Sequence, residues 1–66
     1  MAEMIRMDDA DVRLDGIVAI FDVVEDGSQY SFICSVGGFM FKKSGYDVLE
    51  LEKERQDILD RIAGLE

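Results

Sequence analysis

Apolar and polar positions alternate along much of the chain from Gly16 to Lys43, then change to a helical spacing that runs nearly to the C-terminus. Ile17-Val18-Ala19-Ile20-Phe21-Asp22-Val23-Val24 and Gln29-Tyr30-Ser31-Phe32-Ile33-Cys34-Ser35-Val36 are rich in β-branched and aromatic residues and read as strands. Between them lies Glu25-Asp26-Gly27-Ser28, and Asp26-Gly27 is a two-residue hairpin signal, because a type I′ turn needs positive φ at both central positions. That turn predicts Val23 opposite Tyr30, Phe21 opposite Phe32, Ala19 opposite Cys34 and Ile17 opposite Val36, all on one apolar face. The reverse face is mixed, with Val24 by Gln29, Asp22 by Ser31, Ile20 by Ile33 and Val18 by Ser35. A slip of one residue would exchange the two faces, so turn chemistry and pattern specify one register.

Gly37-Gly38 separates Val36 from Phe39-Met40-Phe41-Lys42-Lys43 and is a second hairpin signal. A two-residue turn there sets Val36 opposite Phe39 and Cys34 opposite Phe41; a bulge at the glycines would move the third strand instead. The reading requires Phe21, Phe32 and Phe41 on the same side of the sheet.

Residues 46–63 contain no Gly or Pro and are rich in Leu, Glu, Lys and Arg, which predicts a helix. Ser44 is the candidate N-cap, Asp47 suits the first turn, and Gly64 is a candidate C-cap. Val48, Leu51, Ile58, Leu59, Ile62 and Leu65 form an apolar stripe, and Asp57 precedes Arg61 by one turn in the favourable order. The predicted fold is α+β with two layers. A three-stranded antiparallel meander, at about 16–25, 29–36 and 39–43, carries the C-terminal helix of about 46–63 on its apolar face.

At 66 residues the chain is one small domain, 1–66, near the lower limit for a self-supporting core. Residues 1–15 form an acidic N-terminal segment with an apolar start at Met1, Met4, Ile5 and Met7. The segment around Met4–Met7 is a candidate to cover the reverse face of the sheet or to pair with the edge of the first strand. Asp9-x-Asp11 has the opening spacing of a calcium loop, but Arg13 stands at the third ligand position and no closing Glu follows. No metal or cofactor is expected.

Fifteen acidic residues against seven basic ones give a net charge of −8, the wrong sign for direct binding of nucleic acid or an anionic membrane. No apolar run reaches the length of a membrane span, and a single cysteine suits a reducing, cytoplasmic setting. The chain has no histidine, no nucleophile–base set and no phosphate loop, so an enzyme is not expected. Cys34, mid-strand on the predicted core side, reads as a small inert hydrophobe.

The natural partner is a protein with a basic surface. Glu50, Glu54, Asp57 and Asp60 on the helix exterior, with Asp8, Asp9 and Asp11, are the candidate acidic contacts. Val18, Ile20, Ile33 and Met40 on the sheet's reverse are a candidate apolar patch for a partner or for a homodimer. Arg55 falls inside the helix's apolar stripe, which suits either a side chain reaching past the core to water or an ion pair within the chain or across an interface.

In size, acidity, lack of a catalytic set and sheet-plus-helix build, the chain resembles the compact inhibitors that phages make against host defences, including anti-CRISPR and anti-restriction proteins. That resemblance implies a protein that occludes a nucleic-acid-binding defence complex in the host cytoplasm. The Glu25-Asp26-Gly27 turn, the Tyr30 strand and the terminal helix are also loosely similar to the HicB antitoxins, which implies an antitoxin-like role. A self-associating structural or regulatory module is the remaining alternative.

Overall fold

The computed structural model describes residues 3–65. In chain order the elements are β1 (Met4–Arg6), β2 (Asp11–Arg13), a 3-10 turn (Leu14–Gly16), β3 (Ile17–Ile20), β4 (Val24–Asp26), β5 (Gln29–Val36), β6 (Phe39–Gly45) and α1 (Val48–Ala63). The antiparallel meander is present with β5 at its centre: β6 lies along one side, and the other side is shared by β4 and β3. β3 and β4 are the two halves of the predicted first strand. The fold is α+β, with α1 packed on one face of the sheet.

The second hairpin has the register read from its glycines. Val36 opposes Phe39 and Cys34 opposes Phe41, and Gly37 and Gly38 take φ of 57° and 91°, as a type I′ turn requires. The strand then runs on through Ser44 to Gly45, beyond the expected end at residue 43.

The first hairpin differs. Its turn is Gly27-Ser28, with only Gly27 at positive φ (65°), the pattern of a type II′ turn with glycine in the first central position. Asp26 remains in the strand opposite Gln29, and Glu25, not Val23, opposes Tyr30. Pairing is interrupted at 21–23, resumes with Ile20 opposite Cys34, shifts again through a bulge at Val18, and meets the expected register only at Ile17 and Val36. Residues 17–26 therefore span the same length as 29–36, and the break and the bulge each absorb one extra residue.

This corrects the expected faces. Ile20 joins Phe32, Cys34, Val36 and Phe41 on the core side, while Ala19 turns away. Phe21, whose N–H bonds the Ile33 carbonyl at 2.8 Å, follows Ile20 onto the opposite side and is 48% exposed. The three phenylalanines do not share a face. The architecture survives because Phe32 and Phe41 stay together on neighbouring strands and Ile20 takes the place intended for Phe21.

The N-terminal segment is a structured hairpin. β1 and β2 pair from Met4–Arg13 to Arg6–Asp11, and Met7 N–H closes the connecting loop on Ala10 O at 2.8 Å. Met7, Val12 and Leu14 join Phe32, Cys34, Leu51 and Ile58 in the buried core. The apolar face of the sheet is thus covered by two elements side by side, the helix and this hairpin, where the pattern had suggested the helix alone.

α1 begins at Val48, with Asp47 as N-cap accepting the Leu49 N–H at 3.0 Å. Ser44 is not the cap; it lies in β6 and serves another purpose described below. Leu51 and Ile58 are the buried residues of the helix, Val48, Leu59 and Ile62 are half-buried, and Leu65 is exposed. Asp57 and Arg61 form the expected pair at 3.0 Å, and Arg61 also reaches Glu3 at 3.3 Å.

Candidate functional site

The charged candidates separate into those the fold uses for itself and those it leaves to solvent. Asp8 belongs to the first group. Its backbone N–H donates to Lys42 O at 2.9 Å, and its carboxylate accepts from the Ser44 N–H at 3.0 Å and from the Ser44 hydroxyl. The β1–β2 loop is thereby fastened along the outer edge of β6. Burial raises the Asp8 pKa, but the Ser44 hydroxyl and amide, with the positive charges of Lys43 and Lys42, outweigh it and hold the carboxyl below its ordinary value of about 3.8.

A carboxyl depressed in the folded state stabilises that state above its unfolded pKa, and the contribution disappears as pH falls through the lower folded value. We expect acid titration below about pH 4 to release this loop first, seen as earlier amide exchange at Asp8 and Ser44. Asp8→Asn should remove that acid-dependent step. An unchanged acid profile in the variant would show that the loop is held by other contacts.

Asp11 is paired with Arg6 at 3.4 Å, with both side chains more than half exposed. Asp9 is exposed in the same loop. On α1, Glu50, Lys53, Glu54 and Asp57 line a shallow open trough, and Asp60, one turn further on, accepts from Gln56 at 3.0 Å. Three carboxylates and one ammonium on a solvated helix surface form an acidic strip, with Asp57 shared with Arg61.

Arg55 is one member of an ion pair within the chain. Its Nε donates to Phe21 O at 2.9 Å and its terminal nitrogen to Asp22 at 3.2 Å, so the helix grips the first strand at its break. The guanidinium satisfies a carbonyl that the interrupted ladder would otherwise leave unpartnered. Sequence spacing left Arg55 either reaching past the core to water or ion-paired; it is paired, at a break at 21–23 that could not be read from the pattern.

The apolar candidates divide as well. Val18 (73% exposed) stands on the outer edge of β3 and Met40 (62% exposed) on the open face of the sheet, with Ile33 half-buried between strands on that face. Ile20 is removed from this patch by the register change. Phe21 and Val24 take its place among the exposed apolar residues, which the expected register had not indicated for Phe21.

A cleft of about 210 Å³ lies between the N-terminal hairpin and α1, floored by Phe32 and Ile58 and edged by Arg6, Lys43, Glu54, Asp57 and Arg61. Its charges are of both signs, and Arg6 and Arg61 are already paired with carboxylates. Burial pushes the Cys34 thiol above its ordinary range despite the opposing charge of Arg55, which keeps the sulfur protonated and unreactive. Among the described residues no group of three or more His, Cys, Asp or Glu is placed to hold a metal ion, and no helix is long and apolar enough to cross a membrane. Compared with protein-family models, curated proteins and solved structures, the chain finds no match.

Proposed function

We propose that this chain binds another protein and occludes a basic surface on it, acting in the host cytoplasm like the phage-made inhibitors of nucleic-acid-binding defence complexes. The observation that carries the reading is the acidic strip of α1, where Glu50, Glu54 and Asp57 line one open trough. The strip sits on a rigid helix anchored by Leu51 and Ile58, so its carboxylates are presented at fixed spacing. Such a surface mimics the charge of a nucleic-acid backbone, steers association, and selects against acidic partners. No catalytic step is assigned to the chain.

The test is charge reversal. Replacing Glu50, Glu54 and Asp57 together by Lys should abolish binding to a partner captured from the native cell. Binding by the unaltered chain should weaken steeply with added salt and compete with DNA or RNA for the target. Retention of the target by the triple variant would sink the acidic-strip mechanism.

The exposed Phe21, Val24 and Met40 favour a second reading, self-association through the open face of the sheet. Light scattering decides it: a homodimer doubles the 7.5 kDa mass, and a single-chain mass at high concentration removes the reading.

A further inference from the structure

A lysine interrupts the apolar face of β6. Phe39, Phe41 and Lys43 follow one another on the core side of the strand, and Lys43 stands opposite Phe32. Lys43 is half-buried, and its ammonium donates to Arg6 O at 3.2 Å, which leaves two of its three donors unused. Among the described residues no carboxylate lies within 4 Å of that ammonium, whereas Lys42 and every arginine have one.

The ammonium stands at the rim of the cleft of about 210 Å³ between the N-terminal hairpin and α1, and Glu54 stands on the helix side of the same rim. Glu54 lies one turn before Ile58, whose buried side chain forms the floor together with Phe32. It too has no opposite charge within 4 Å among the described residues. The other rim charges are matched: Asp57 holds Arg61, and Asp11 holds Arg6. What remains is one ammonium on the sheet side and one carboxylate on the helix side, with an apolar floor between them.

We propose that this cleft binds a free α-amino acid with an apolar side chain. Such a molecule carries a carboxylate, an ammonium and an apolar group on one carbon. Its carboxylate accepts from Lys43, its ammonium donates to Glu54, and its side chain lies over Phe32 and Ile58. A simple anion would meet repulsion from Glu54 and Asp57, and a simple cation from Lys43 and Arg6, so each loses on one wall what it gains on the other. The volume lies below the range of drug-sized ligands and suits a molecule of one residue's size. This site goes beyond the proposed function. It shares Glu54 and Asp57 with the acidic strip, but Lys43 belongs to the cleft alone.

The probe is L-leucine, titrated to about 10 mM into the full-length protein at about pH 6.5, where α-amino groups are charged, and followed by amide NMR. Saturable shifts at Ile5, Phe32, Lys43, Glu54 and Ile58 are the expected result. N-acetyl-L-leucine lacks the ammonium, L-leucinamide lacks the carboxylate, and glycine lacks the side chain. Each should bind at least about threefold more weakly than leucine. Lys43→Met keeps the apolar stem and removes the charge, so in that variant leucine and leucinamide should bind alike. Should the variant not fold, the ranking of the four compounds on the parent chain decides alone. No saturable shift, shifts confined to residues away from the cleft, or any analogue within that threefold margin overturns the site. So does a folded Lys43→Met that still prefers leucine to leucinamide.

Discussion

Phe32→Ala is expected to abolish the cooperative unfolding transition at 25 °C. Phe32 is 1% exposed, the largest fully buried side chain, on the central strand among residues contributed by the N-terminal hairpin, the sheet and the helix. Truncating a buried phenylalanine to alanine costs about 3–5 kcal/mol, part lost transfer energy and part the cavity left behind. A domain of this length has roughly 3–10 kcal/mol in total, so the loss is comparable with the whole stability. Urea denaturation followed by circular dichroism measures it. A variant that unfolds cooperatively with a midpoint within about 0.5 M of the parent's would place the true centre of the core elsewhere.

Leu14→Ala should lower stability by about 2–5 kcal/mol. Leu14 is 1% exposed, although it lies in the short 3-10 turn between β2 and β3, where an isolated apolar residue would ordinarily be a surface feature. Its burial follows from the hairpin before it: Leu14 N–H bonds Glu3 O at 2.8 Å, and Met7 and Val12 enter the same cluster. In so small a domain 2 kcal/mol corresponds to a fall in Tm of about 10 °C. Met4→Ala, in the same hairpin but 48% exposed, is the control and should change stability by about 0.5 kcal/mol or less. Equal small effects from both variants would show that the N-terminal hairpin decorates the fold and does not complete its core.

These two substitutions mark the boundary of what pattern alone could supply. Phe32 is legible as core because it alternates within an eight-residue strand bounded by turn residues. Met7 and Leu14 are not legible in the same way. Their neighbours Asp8, Asp9, Asp11 and Asp15 give the segment the composition of an acidic loop, and three-residue strands are too short to establish a period. The candidate site was partly legible. The helical spacing placed Glu50, Glu54 and Asp57 together correctly, because all three lie on one regular element. Asp8 and Asp11 belong to the same acidic contact set by composition, but the partners they take within the chain, Ser44 and Arg6, follow from the fold of the N-terminal hairpin.

Turn chemistry had the same limit. Gly37-Gly38 admits a turn with both residues at positive φ, and the register that follows from it is the one found. Glu25-Asp26-Gly27-Ser28 admits two turns one residue apart. Local preference favours Asp26-Gly27, yet Gly27-Ser28 keeps Asp26 in the strand, where its carboxylate reaches Lys42 at 3.2 Å across the sheet. The two residues this choice displaces are accommodated at the Val18 bulge and at the break that Arg55 holds. One local decision therefore reaches the sheet edge at β3.

By itself the sequence determined the three-stranded meander, the glycine-pair hairpin, the terminal helix and its acidic exterior, because each is specified by neighbours within a turn or a few alternating positions. The tertiary structure decided the register of the first strand, the side on which Phe21 and Ile20 lie, the role of the N-terminal hairpin and the duties of Asp8 and Arg55. Those depend on Arg55 meeting Phe21 and Asp8 meeting Ser44, partners 34 and 36 positions apart. Such contacts exist only after the layers close on one another, and no short-range periodicity encodes them.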